Sequence, residues 1–158
     1  MLKKATLLTA ALLLTGTTAS ASDIGTSRTL GVGLGGATTA SGISGKLYLS
    51  PASAVQAVVG SGYSGAGLHL SADYMQELGE LDAPTGDFRV FYAGGFGAGI
   101  ASYNSYSAIG VSGVLELGFH MKQYPIELTL DWRPSFFMGD YLNGLYLGHG
   151  GGAIRYYL

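Results

Sequence analysis

The sequence predicts an all-β chain: an eight-stranded antiparallel up-and-down β-barrel that crosses a membrane, preceded by a cleaved export signal. Three observations predict it. Apolar and polar residues alternate with a period of two along eight successive stretches. Glycine accounts for 27 of the 158 residues, against a usual share of ~7%. Charged residues make up only 11% while the hydrophobic fraction is 47%, which is too apolar for a disordered chain and an odd surface for a soluble domain.

The same arithmetic excludes several classes. A formal charge of -2 offers no basic footprint, so nucleic acid is not an expected partner. With 0 cysteines the chain has no disulfide, thiolate zinc site, Cys nucleophile or lipid-modified N-terminal Cys.

Residues 1–21 read as a secretory signal peptide. Lys3 and Lys4 form the positive start, Ala5 to Leu14 the short apolar core, and Ala19-Ser20-Ala21 a small-residue cleavage site. The apolar core is shorter than the ~20 residues a helix needs to span a bilayer. No later stretch has the roughly 18 consecutive apolar residues of a transmembrane helix. Residues 22–158 are therefore an exported β domain, and a closed barrel is the remaining way for such a chain to cross a membrane.

The strands follow in order. Leu30, Val32 and Leu34 oppose Gly31, Gly33 and Gly35; Ile43, Leu47 and Leu49 oppose Ser44, Lys46 and Tyr48. After Ser50-Pro51-Ala52-Ser53, Val55, Ala57 and Val59 oppose Gln56 and Val58, and beyond Gly67, Leu68, Leu70, Ala72 and Tyr74 oppose His69, Ser71 and Asp73. In the second half Phe88, Val90, Tyr92, Phe96 and Ala98 oppose Arg89 and Phe91, and Ile109, Val111, Leu115, Leu117 and Phe119 oppose Ser112, Glu116 and His120. Ile126, Leu128, Leu130 and Trp132 then oppose Glu127, Thr129, Asp131 and Arg133, and Ile154, Tyr156 and Leu158 oppose Ala153, Arg155 and Tyr157. An even number of strands leaves both termini at one end.

Alternation alone does not say which face is inside. A soluble barrel buries its apolar face, and a membrane barrel turns that face outward around a polar interior. The second arrangement is expected for three reasons. Large apolar residues recur on nearly every strand, the polar face is poor in Lys and Glu, and the chain ends on Ile154-Arg155-Tyr156-Tyr157-Leu158 without a polar tail. Lys46, Arg89, Arg133 and Arg155 then point inward with Asp73, Glu116, Glu127 and Asp131, and His69 and His120 join them. Eight strands enclose only enough space for side chains, and buried charges must pair, so the expected lumen is plugged and salt-bridged.

The runs Gly31-Val32-Gly33-Leu34-Gly35, Gly42-Ile43-Ser44-Gly45-Lys46 and Leu68-His69-Leu70-Ser71-Ala72-Asp73-Tyr74 resemble a group of small, uncharacterised bacterial outer-membrane barrels. Residues Pro125 to Pro134 and Gly151 to Tyr157 continue the likeness, which covers most of the chain after residue 21. The family closes on Phe where this chain has Leu158, its second His in the fourth strand is Ser71, and its Glu is Asp131. The resemblance implies an eight-stranded barrel of the OmpX and OmpA transmembrane type, with Tyr156 and Leu158 as the C-terminal signal read by the barrel-assembly machinery. It implies no activity.

Other patterns have plainer explanations. Gly31 to Gly36 satisfies G-x-G-x-x-G, but another strand follows where a dinucleotide site needs a helix. His69, Ser71 and Asp73 share one strand face, and the outer two lie about 13 Å apart at ~3.3 Å per residue, too far for a triad. A His-x-Ser pair does resemble part of an outer-membrane lipid A deacylase site, but Ala72 stands where Asn belongs. Glu116, Glu127 and Asp131 face arginines and are read as neutralised, not as a metal site. Glu77, Glu80, Asp82 and Asp87 bracket Ala83-Pro84-Thr85-Gly86 and are read as one long solvated connection over 78–87. Tyr63, Tyr103, Tyr106, Tyr141 and Tyr146 fall at strand ends and are read as interface anchors.

The expected protein is a non-enzymatic, monomeric outer-membrane barrel with a structural or surface-interaction role, no cofactor and no metal. Its expected partners are outer-membrane lipids, with the assembly machinery and periplasmic chaperones during biogenesis. The competing readings are a narrow small-solute pore, a lipid-modifying hydrolase using His69 and Ser71, and a soluble lipocalin-like lipid carrier with the faces reversed.

Overall fold

A computed structural model describes residues 23–61, 67–83, 85–103, 105–140 and 142–158; the expected export signal at 1–21, Tyr63 and Tyr141 lie outside them. The strands are β1 (Leu30–Gly36), β2 (Ser41–Ser50), β3 (Ser53–Ser61), β4 (His69–Leu81), β5 (Phe88–Tyr103), β6 (Tyr106–Met121), β7 (Ile126–Trp132), β8 (Ser135–Gly139), β9 (Gly144–Tyr146) and β10 (Gly150–Tyr157). β7 and β8 both pair with β6, so they form one stave interrupted at Arg133-Pro134. Proline has no N–H for the ladder, which accounts for the break. β9 and β10 form the next stave, pairing with β8 and β7 respectively.

β10 pairs in turn with β1, and β5 with β6, which closes an eight-stranded antiparallel barrel. The closing seam runs from Gly31 opposite Tyr157 to Gly36 opposite Gly152. Closure pairs the wall strands on both sides, except along β9, which among the described residues pairs only with β8.

The apolar face is the outer one. Leu34, Ile43, Phe96, Leu115 and Leu130 are all exposed, whereas Lys46, Asp73, Glu116, Glu127, Arg133 and Arg155 are buried. The faces are thus not reversed as the soluble-carrier reading expected, with its apolar interior. Ile154, Tyr156 and Leu158 share the outer face of the last stave, and Arg155 and Tyr157 are buried on its inner face.

Glycines on the inner face leave space for large neighbours. A Cβ at Gly118 would collide with the Phe91 ring, one at Gly97 with the Asp73 carboxylate, and one at Gly31 with the Tyr157 ring. At Gly33 the obstacle is the Ile154 carbonyl, a backbone atom across the closing seam that cannot rotate away. Gly33→Ala is expected to destabilise the barrel by about 1–3 kcal/mol, as overpacking does, measured as a lower urea midpoint with unchanged cooperativity. Wild-type stability would show that the seam tolerates spreading.

The structure departs from expectation in two places: Ser135–Gly139 and Gly144–Tyr146, not expected as strands, are β8 and β9, and one connection is shorter than expected. β4 runs through Glu77 and Glu80 to Leu81, so the loop before β5 is only 82–87. A β-bulge between Glu77 and Gly79 shifts the register against β5, and this breaks the alternation that would have marked the segment as strand.

Candidate functional site

The lumen holds the chemistry of this chain. Each contributing side chain lies on the polar face of its strand, and the barrel's curvature brings strands distant in sequence to a common axis. Glu127 of β7 is fully buried and is the hub. Its Oε1 accepts from Arg155 at 2.7 Å, while Oε2 accepts from Lys46 at 3.1 Å and Tyr48 at 3.4 Å and lies 2.9 Å from His120 Nε2. Lys46 also donates to Glu116 at 3.0 Å. Arg155 donates further to Ser44 at 2.9 Å and to the Gln56 side-chain oxygen at 2.8 Å.

Gln56 links this group to a second one. Its Nε2 donates to Asp73 at 3.0 Å, and Asp73 accepts from Arg133 Nη1. Arg133 also pairs with Asp131 at 2.5 Å, and its Nη1 reaches Thr38 Oγ1 at 3.5 Å. A continuous polar network therefore crosses the interior from Tyr48 to Thr38. It unites seven of the nine expected lumen residues, Lys46, Asp73, Glu116, Glu127, Asp131, Arg133 and Arg155; Arg89 touches its edge through His120, and His69 lies at the far end.

Arg89 sits apart, at the end of the barrel that carries the termini. It pairs with Glu77 and Glu80 and lies 3.4 Å from His120 Nδ1. Glu77 and Glu80 are thus strand residues paired with Arg89, not a solvated loop. His69 lies at the opposite end, where its Nδ1 is 2.7 Å from the Thr39 carbonyl.

That opposite end contains what the sequence did not show. The β1–β2 turn, residues 37–40, is folded into the barrel, and every one of its residues is buried. Ser71 Oγ accepts from the Thr39 backbone N–H at 3.0 Å and lies 2.9 Å from Thr39 Oγ1. Thr39 Oγ1 also donates to the Leu70 carbonyl at 3.0 Å, and Thr38 Oγ1 lies 2.7 Å from Ser112 Oγ. His69 and Ser71 therefore both hold this turn. The barrel is lopsided, with β5 and β6 at 16 residues each and β1 at 7, so a turn from the short side meets the inner wall of the tall side.

Little space remains between these groups. A cavity of about 10 Å³ is lined by Lys46, Tyr48, Ala52, Ala54, Met75, Glu77, Phe91 and Ala93, roughly room for one water. His69 Nε2, Glu116 Oε2, Thr129 Oγ1 and Tyr157 Oη are buried without a hydrogen-bond partner, which suits scattered water. Among the described residues no group of three or more His, Asp or Glu side chains could hold a metal ion.

The expected aromatic anchors divide. Tyr106 is exposed at the start of β6, whereas Tyr146 packs inward against Phe137 and stacks on His149, with centroids 5.3 Å apart. The register that sets Tyr146 opposite buried Ser135 explains its direction, since paired residues share a face. Tyr103 ends β5. Exposed Tyr74, Tyr92, Tyr124 and Trp132 supply outward aromatics that the sequence reading did not single out as anchors.

Among the described residues no helix is long and apolar enough to cross a membrane, a criterion that does not address strands. No family model, curated protein or solved structure matches this chain.

Proposed function

We propose that this chain is an integral outer-membrane β-barrel of the OmpX and OmpA transmembrane type, non-enzymatic, with a structural or surface-interaction role. The observation that carries the reading is the inversion of the faces: a belt of exposed leucine, isoleucine, valine and aromatic side chains encloses a buried network of charges. In water such a belt would be an aggregation surface far larger than the few hundred Å² usual for a soluble monomer. In hydrocarbon it is the surface a spanning barrel requires. Residues 1–21 supply the export signal, and Tyr156 and Leu158 the C-terminal assembly signal.

The crossing salt bridges support a sealed lumen over an open pore, since a water path would have to displace paired, buried charges. His69 and Ser71 are occupied in binding the 37–40 turn, which supports a structural role for them over hydrolysis.

Cold and boiled samples from purified outer membranes test the location. A band whose migration shifts on boiling is expected in that fraction, followed by no steady conductance in planar bilayers. An unshifted band in the soluble periplasmic fraction would overturn the membrane reading, and stable conductance would replace the sealed barrel with a pore.

A further inference from the structure

We propose that the β1–β2 turn, residues 37–40, is a displaceable plug, and that its release opens the upper lumen to small hydrophilic molecules. A turn at a barrel rim normally meets water, yet here Ala37, Thr38, Thr39 and Ala40 are 2%, 1%, 4% and 0% exposed. The β1–β2 ladder ends with Gly36 opposite Ser41, and beyond it the turn closes on itself through the Ala37 N–H and the Ala40 carbonyl at 2.8 Å. Other hydrogen bonds of the turn go across the lumen, to His69, Leu70 and Ser71 of β4, to the Ile100 carbonyl of β5, to Ser112 of β6 and from Arg133 Nη1 to Thr38. Its apolar contacts are with small residues, Ala37 and Ala40 clustering with Val58.

The opposite wall is shaped to receive it. Gly99 lies where a Cβ would strike Thr39 Oγ1 and Ser71 Oγ; at Gly110 a Cβ would strike the Phe137 ring first and come within 3.3 Å of the Thr38 methyl carbon. The attachment consists of hydroxyls, one imidazole, backbone groups and one long contact from the Arg133 guanidinium, which keeps Asp73 and Asp131 as partners, so all of it can exchange for water without stranding a charge. A wall strand, by contrast, cannot leave without breaking its ladder. Beneath the turn lies the Arg133 guanidinium, which reaches Thr38 Oγ1, so release would expose the head of the charged network.

The absence of native cysteine makes the test direct. Thr129→Cys places a single thiol in the lumen, at a buried hydroxyl that has no hydrogen-bond partner to lose. The thiol is titrated with a small charged methanethiosulfonate in the folded barrel in detergent micelles. The same is done with His69→Ala and Ser71→Ala added, and folding of each form is verified by its heat-shifted band. Labelling is expected to accelerate at least about tenfold when the two attachments are cut, as protection by a local closing equilibrium requires. Equal rates in two folded barrels overturn the plug. Hydrogen exchange on the unaltered chain gives a second reading that needs no folded variant. The Thr39 amide is expected to exchange at least about 100-fold faster than the β1 ladder amides, and equal protection would make the turn a fixed part of the barrel. Both measurements are made in micelles, so neither depends on where the protein resides in the cell.

Discussion

Glu127→Ala is expected to be the most damaging single lumen substitution, lowering stability by about 3–5 kcal/mol, as removal of one member of a buried charge cluster does. Glu127 is 0% exposed and receives Lys46, Tyr48 and Arg155 while contacting His120. Lys46 would retain Glu116, but Arg155 would keep only Ser44 and Gln56, neither of which carries charge. The measurement is the urea midpoint of barrels refolded into lipid vesicles, read by heat-shifted migration. A second substitution separates the causes. If the loss comes from stranding the Arg155 cation, adding Arg155→Gln should recover a large part of it, with a coupling energy of about 0.5–3 kcal/mol in the double-mutant cycle. Simple additivity would mean that Glu127 acts by filling volume.

The second large effect is expected on the other face. Val111 is 47% exposed and pairs with Ala98, which pairs with Ala72, which pairs with Ala57, so it lies on the belt away from either rim. In a bilayer Val111→Arg is expected to cost about 2–4 kcal/mol, the penalty for a cation near the midplane of a barrel's lipid face. The same substitution on a wall surrounded by water would change stability by no more than about 0.5 kcal/mol, as exposed sites do. The comparison is made by urea titration in vesicles. A near-zero change there would place Val111 outside hydrocarbon and remove the membrane reading along with it.

The strands and their inward faces were legible because a period of two survives wherever a wall has one apolar and one polar side. Leu128 and Leu130 point out and Glu127 and Thr129 in, as their alternation indicates. The pattern failed where the backbone departs from that period. The bulge after Glu77 hid the end of β4, and the interruption at Pro134 obscured that Tyr146 points inward. Partner identity was illegible for a different reason. Arg133 meets Asp73 across 60 residues of sequence, and which inward residues come level depends on how the staves tilt and stagger, which alternation does not encode. The inserted turn left no trace because Ala-Thr-Thr-Ala is an unremarkable connection; only the unequal strand lengths bring it against β4 and β6.

The seam between β1 and β10 has a consequence for the order of assembly. Gly31 waits for Tyr157, so the first stave has one neighbour missing until β10 has been made. Domains that fold progressively from their N-terminus during synthesis do not face this delay. Lys46 and Glu127, 81 residues apart, likewise cannot meet until the ring is almost complete. Until then both carry their hydration, and the charges that knit the finished interior act as a brake on premature collapse. The chain is therefore built to arrive whole and close once, with the dehydration of its core as the final, cooperative event.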